Sequence, residues 1–329
     1  MAKIKMTLPK GSLERTTYDF VETAGYKIHG RERTYRPTLN DPEIEVKILR
    51  PQEIPLSVSE GLQDIGITGE DWILETRADV KNVLTLGYGR IKIVIAVPRS
   101  TTASNLTELL SEFSKDGKVL RISTEYLNIT SDYIMSNPFY KEKYGKEEPL
   151  IITPWWRRGS NKNVTIFLSF GATEAKPPED ADAIFDVTET GSTLEQNNLK
   201  SIATVLESSA VLVANKRSMQ DAKKREKIFD VVTLFSGVVE GRQKVHIFLN
   251  VRKENLKVLL DELPALKKPT VTQLSDEDWY SVNTIIGKDQ FLKVIPTIRK
   301  LAQGLVVHSP RQILPLEQIS RDEDNKDEY

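Results

Sequence analysis

Residues 186–198 read DVTETGSTLEQNN, and their types suit a sugar phosphate. Asp186 and Glu189 stand either side of a threonine, and Thr190, Gly191, Ser192 and Thr193 set three hydroxyls around one glycine. Glycine lets a ligand approach the backbone closely, and the free N–H groups and dipole at a helix start favour phosphate. The two acids would repel phosphate, but carboxylates accept well from the vicinal hydroxyls of a ribose. The stretch reads as a ribose-5-phosphate site, with simple turn and cap residues as the alternative.

Other segments carry compatible chemistry. Lys10 and Gly11 in LPKGSLE fall at a strand-to-helix junction, a position that favours anions, or a solvated turn. Arg50 closes a strand at its carboxyl end, where α/β sheets collect ligands, although a surface arginine is the plain reading. GITGED ends in Glu70 and Asp71, either a helix cap or a ligand contact. WWRRG, residues 155–159, reads as a structured loop rather than a stacking, cationic patch.

The elements that must position these residues alternate between strand and helix. Strands are expected at 3–8, 44–49, 63–69 and 90–97, with a helix over 12–24 capped by Ser12 and another opening at EDWILE. A second run has strands at 120–124, 164–169, 181–187 and 208–215, then an amphipathic helix near 218–241. Residues 137–162 read as an irregular surface excursion. From 243 to 318 the order is β-α-β-β-α-β, the ferredoxin-like split βαβ. The tail SRDEDNKDEY is a charge run, expected to be disordered.

Composition narrows the function. The 329 residues allow two or three domains, and 46 basic against 47 acidic side chains give no bulk attraction to nucleic acid. No apolar run approaches the roughly 18 residues of a membrane span, and the N-terminus lacks a signal-peptide core. With no cysteine, disulfides and thiolate metal sites are excluded, and His29, His246 and His308 are too few for a histidine-rich centre. A cytoplasmic protein is expected.

Taken together, LPKGSL, ILRPQEIPLSVSEGLQDIGITGED, LRISTEYLNIT, GATEA, DADAIFDVTETGSTLEQNNL and PALKKPTVTQLSDEDWYSV resemble the long form of the ATP phosphoribosyltransferase family, in order, over residues 3–315. The resemblance implies an α/β fold: a two-lobed, periplasmic-binding-protein-like catalytic core and a C-terminal ferredoxin-like (ACT-like) α+β domain. Lobe I would span 1–95, completed by about 208–241. Lobe II, with the phosphoribosyl pyrophosphate (PRPP) loop, would span 96–207, the regulatory domain 242–318 and the acidic tail 319–329. The implied enzyme is a glycosyltransferase that joins N1 of ATP to C1 of PRPP and releases diphosphate, the first step of histidine biosynthesis. Asp186 and Glu189 would then approach the ribose of PRPP, and Thr190, Gly191, Ser192 and Thr193 its 5′-phosphate. Lys10, Gly11 and Arg50 would lie near nucleotide or pyrophosphate, Glu70 and Asp71 on the adenylate side, and Glu174 facing the cleft. Ser12 stands where some members have arginine, as small residues do in the long form, and this removes one phosphate contact. The 137–162 excursion and the acidic tail depart from the family pattern.

No metal motif is expected, because Mg²⁺ would be held mainly by substrate phosphates. L-Histidine is implied as a feedback inhibitor bound near Asn250, Leu266, Thr270, Ile285 and Gly304. Asn250 replaces an acid there, so a hydrogen bond survives without charge assistance. A homo-oligomer between dimer and hexamer is implied. The alternatives are a solute-binding module and a catalytically silent nucleotide or amino-acid sensor.

Overall fold

The near-continuous apolar runs become buried strands. In the computed structural model, which describes residues 3–30, 34–264 and 269–314, the chain forms two compact units. Among these residues, one comprises 4–16 and 45–221, and the other residue 3, 17–44 and the described chain from 222 onward.

The first unit holds two mixed sheets. In one, Ile44–Leu49, Ile4–Pro9, Ile65–Gly69, Ala210–Ala214 and Lys81–Thr85 lie side by side in that order. Ile4–Pro9 is parallel to Ile65–Gly69, and Ala210–Ala214 runs antiparallel to it. Ile65–Gly69 and Ala210–Ala214 are buried along their whole length, so they read as unbroken apolar runs rather than alternating ones. The other sheet runs Arg157–Arg158, Pro149–Ile152, Asn161–Leu168, Leu120–Thr124, Ala183–Thr188, Ile91–Pro98, Leu199–Ser208. Pro149–Ile152, Asn161–Leu168, Leu120–Thr124 and Ala183–Thr188 are mutually parallel through their neighbours. Their carboxyl ends therefore share one edge, where sheets of this kind bind ligands. Ile95, Ile122, Ile166 and Phe185 anchor that sheet's core against Leu109, Ile134 and Tyr140.

The excursion at 137–162, expected to be irregular, is ordered. The Asn137 side chain accepts the N–H groups of Phe139 and Tyr140 and caps the helix Pro138–Tyr144. Pro138 takes the first position, where its missing N–H costs nothing. Tyr140 is fully buried, and its hydroxyl donates to the Glu147 carbonyl at 2.7 Å. Pro149–Ile152 then joins the sheet and turns back into Arg157–Arg158. Gly159 follows this hairpin at φ +91°, where a Cβ would stand 2.0 Å from the Pro149 carbonyl oxygen, so only glycine fits. The first helix, Glu14–Thr23, opens two residues beyond Ser12, the expected cap, and the Glu14 carboxylate accepts the Gly11 N–H at 3.3 Å.

In the second unit, Lys244–Arg252, Lys253–Glu262, Thr270–Gln273, Trp279–Gly287, Lys288–Leu301 and Ala302–His308 follow the order β-α-β-β-α-β. The sheet order is Thr270–Gln273, Trp279–Gly287, Lys244–Arg252, Ala302–His308. Val245, Ile247, Leu249 and Val251 pack with Leu259, Val294 and Ile298. Strand alternation turns His246, Phe248 and Asn250 to the opposite face. On the long helix Ala222–Gln243, Lys227 reaches Asp41 at 2.8 Å and Glu43 at 2.9 Å. No helix among the described residues is long and apolar enough to cross a membrane.

Candidate active site

A cleft of about 260 Å³ in the first unit gathers Lys10, Gly11, Arg50, Asp71 and Asp186 from distant parts of the sequence. Lys10 follows Ile4–Pro9, and its N–H donates to the Leu49 carbonyl at 2.8 Å, which holds two strand ends together. Arg50, at the second of those ends, gives its N–H to the Glu53 carboxylate at 3.1 Å while its side chain stays exposed. Two cationic side chains thus stand on the wall built by one sheet.

The other sheet supplies acids. Asp186 accepts the Val187 N–H at 2.7 Å. Burial, reinforced by the negative charges of Glu174 and Glu125, pushes its carboxyl up to about 6. Burial also raises Glu125, with Glu174 adding to the rise and the Gly171 N–H opposing it. Sequence reasoning missed Glu125 and Tyr126, which line the same cleft. Their position directly after the buried strand Leu120–Thr124 was the available signal. Gln52, also missed, lines the cleft, and its Oε1 is buried with no hydrogen-bond partner among the described residues.

Asp71 borders the cleft with its carboxylate already engaged. It is 3% exposed, accepts the Ser208 hydroxyl at 2.6 Å and accepts the Tyr126 hydroxyl at 2.9 Å. Burial raises its pKa against those two bonds. Burial and the adjoining Asp71 carboxylate push the Tyr126 hydroxyl up. Trp72 stacks on Tyr126 with centroids 4.6 Å apart and planes 26° apart. On the same helix, Glu70–Thr76, Glu75 accepts the N–H groups of Asn128 and Ile129 at 3.0 Å, at the start of Leu127–Ser136. These contacts lock the two helices around the cleft.

Glu70 and Glu189 fall instead in a neighbouring pocket of about 430 Å³ with Arg90, Lys92 and Glu207, and Ile91 borders both pockets. Lys92 pairs with Glu207 at 3.0 Å. Thr190, Ser192 and Thr193 are exposed on the loop that opens the short helix Ser192–Gln196. Gly191, at φ +84°, donates its N–H to Thr188 Oγ1 at 2.8 Å, and the Thr190 and Ser192 hydroxyls meet at 3.0 Å. The hydroxyl-rich loop thus bonds to itself. Among the described residues, no group of three or more His, Asp or Glu side chains forms a metal cage.

In the second unit, Asn250 lies opposite Ser281, Ile285 opposite His246 and Thr270 opposite Asn283. This register puts Asn250, Thr270 and Ile285 on the sheet face away from the core. Gly304, at φ +62°, would bring a Cβ within 3.8 Å of Asn250 Nδ2. Leu266 lies outside the described residues, as does the acidic tail.

The family model described as ATP phosphoribosyltransferase matches residues 50–237, and one described as HisG, C-terminal domain, matches residues 241–309. An ATP phosphoribosyltransferase of Pelotomaculum thermopropionicum is 37% identical over 313 residues, covering 94% of this chain and 98% of the relative. One from Solibacter usitatus is 39% identical over 312 residues, covering 93% and 97%. Among solved structures, a chain of the ATP phosphoribosyl transferase (HisG:HisZ) complex from Thermotoga maritima is 25% identical with a TM-score of 0.55, covering 72% of this chain and 98% of that one.

Proposed function

We propose how the cleft works from the premise that the chain belongs to the ATP phosphoribosyltransferase family, in its long form, and catalyses the first step of histidine biosynthesis. In that reaction the bond from C1 of PRPP to pyrophosphate breaks, a bond from C1 to adenine N1 forms, and pyrophosphate leaves. One observation carries the assignment of roles: Lys10 and Arg50 border the same cleft as Glu125 and Asp186.

Sugar transfer of this kind builds positive charge on the ribose carbon and negative charge on the leaving pyrophosphate, so placement and electrostatics supply most of the catalysis. Lys10 and Arg50 neutralise phosphate charge, with the Gly11 backbone close beside them. Asp186 and Glu189 accept from the ribose hydroxyls, and the Thr190–Thr193 loop takes the 5′-phosphate once its internal bonds give way. Glu70 stands on the nucleotide side. Asp71 acts there through Tyr126, the group it holds, rather than by touching substrate. Adenine N1 is already nucleophilic, so no covalent intermediate with the protein is required.

A divalent cation requirement goes with the family. The acidic wall fits such an ion: Asp186 lines the cleft with its carboxyl raised by burial and by the charges of Glu174 and Glu125, and a cation there would offset that charge. We assign Mg²⁺, held mainly by substrate phosphates with Asp186 and Glu174 beside it. It would supply neutralising charge to pyrophosphate.

We read the first unit's two sheets as the periplasmic-binding-like lobes, and the β-α-β-β-α-β unit as an ACT-like domain that takes L-histidine at Asn250, Thr270, Ile285 and Gly304. Lobe I is assigned to 1–95 with 208–241, lobe II to 96–207 and the regulatory domain to 242–318. A homo-oligomer in the cytoplasm completes the proposal. Asp186→Ala tests the roles: kcat/KM for PRPP should fall on the order of a hundredfold with the fold intact. Wild-type turnover in that variant would remove Asp186 from the site.

A further inference from the structure

The chain that leaves the last strand, Ala302–His308, turns back and lies across two helices. Arg311 Nε donates to the Thr23 carbonyl at 2.7 Å, and its Nη2 donates to the Glu22 carbonyl. Gln312 Nε2 donates to the carbonyls of Leu234 at 3.1 Å and Ala24 at 3.3 Å. The Ile313 N–H donates to the Gly237 carbonyl at 2.9 Å. Residues 310–314 thus form a clasp over the end of Glu14–Thr23 and the middle of Ala222–Gln243.

Both helices are built to receive it. The last carbonyls of a helix have no partner within it, and the negative end of its dipole favours a cation. Glu14–Thr23 has no basic residue in its last turn, and Arg311 closes it from 288 residues further along the chain. Ala222–Gln243 carries Gly237 and Gly241, four apart on one face, although glycine is a poor helix former. A Cβ at 237 would press into Leu314 Cδ2, and one at 241 would stand 3.0 Å from the Pro310 carbonyl oxygen and 3.1 Å from that of Arg311. The two glycines make the groove in which the clasp lies.

What lies at either end of the clasp gives it a use. On one side it continues the strand that carries Gly304, beside Asn250. On the other it grips a ten-residue helix, about 15 Å long, that opens soon after the Lys10–Gly11 loop of the cleft. A signal between distant sites needs a contiguous physical element that both can bias. We propose that residues 310–314 couple the C-terminal sheet to the Lys10–Gly11 loop through Glu14–Thr23, an inference that rests on that sheet taking L-histidine. Lys10 and Gly11 keep their own bonds, to Leu49 and Glu14, so turnover does not need the clasp. Inhibition does.

The test releases the clasp from each side in the full chain. Arg311→Ala removes the cap; Arg311 is exposed, so its replacement spares the core. Gly241→Val fills the groove. Faster hydrogen exchange at the Ile313 amide confirms release. Both variants should bind L-histidine by calorimetry as wild type does and keep kcat within about twofold. Their half-inhibitory concentration for L-histidine should rise on the order of tenfold. Arg311→Lys, which can still donate to the helix carbonyls, should keep its inhibition. Undiminished inhibition in both released variants would overturn the proposal and put the signal in the direct junction of Gln243 with Lys244. Loss of turnover in Arg311→Ala would overturn it too, making the clasp a support for the loop. Wild type that binds no L-histidine would remove the effector reading itself, and calorimetry separates that failure from a failure of the clasp.

Discussion

Asp186 enters the cleft with its carboxyl raised to about 6, chiefly by burial. Its function needs the charged form, so kcat/KM for PRPP should fall as pH drops through about 6, and this limb should vanish in Asp186→Asn. Stability has the opposite sign. An acid raised in the folded state contributes stability below its unfolded value, and that contribution is lost as pH rises through the folded value. Asp186→Asn should therefore melt higher than wild type at pH 7.5, by about 3 kcal/mol at most, and show little difference near pH 4. Equal differences at both pH values would contradict this. Lys10 and Arg50 were legible from the sequence because each directly follows a strand, and Asp186 because it leads into a glycine-and-hydroxyl cup. Glu125 and Tyr126 also follow a strand, in LRISTEYLNIT, but no phosphate-loop chemistry beside them marked them out. GITGED left Asp71 as either a helix cap or a ligand contact, and three-dimensional contact adds that its carboxylate accepts from Ser208 and Tyr126.

At the scale of elements, Glu75 joins the helix Glu70–Thr76 to the start of Leu127–Ser136 through two amides at 3.0 Å. Glu75→Ala leaves those buried donors without a partner and should cost about 1–3 kcal/mol in urea unfolding. An unchanged midpoint would mean that the helices are held by packing alone. The buried strands were readable because both their faces are apolar. Leu199–Ser208 escaped because its register slips twice, between Ser201 and Ala203 and between Thr204 and Leu206, which breaks the period-two pattern. Lys81–Thr85 lies at the end of its sheet order and is half exposed, so pairing rather than apolar content makes it a strand. Residues 137–162 carried an N-terminal helix signature, Asn137 before Pro138, that the surrounding charges concealed.

For the whole molecule, the tests concern the transfer reaction and the L-histidine proposed to regulate it. L-Histidine should inhibit, and Asn250→Asp should restore a charge-assisted bond to the effector's ammonium group, lowering the half-inhibitory concentration about fivefold to tenfold. A variant no more sensitive than wild type would detach Asn250 from the effector site. The most direct test of the central claim is pyrophosphate release by the full chain with ATP, PRPP and Mg²⁺, coupled to pyrophosphatase so that product does not accumulate. Release should require both substrates, equal the N1-phosphoribosyl-ATP formed, stop on chelation of the metal and return when Mg²⁺ is restored. Folded protein that binds PRPP yet releases no pyrophosphate in ATP's presence would contradict it.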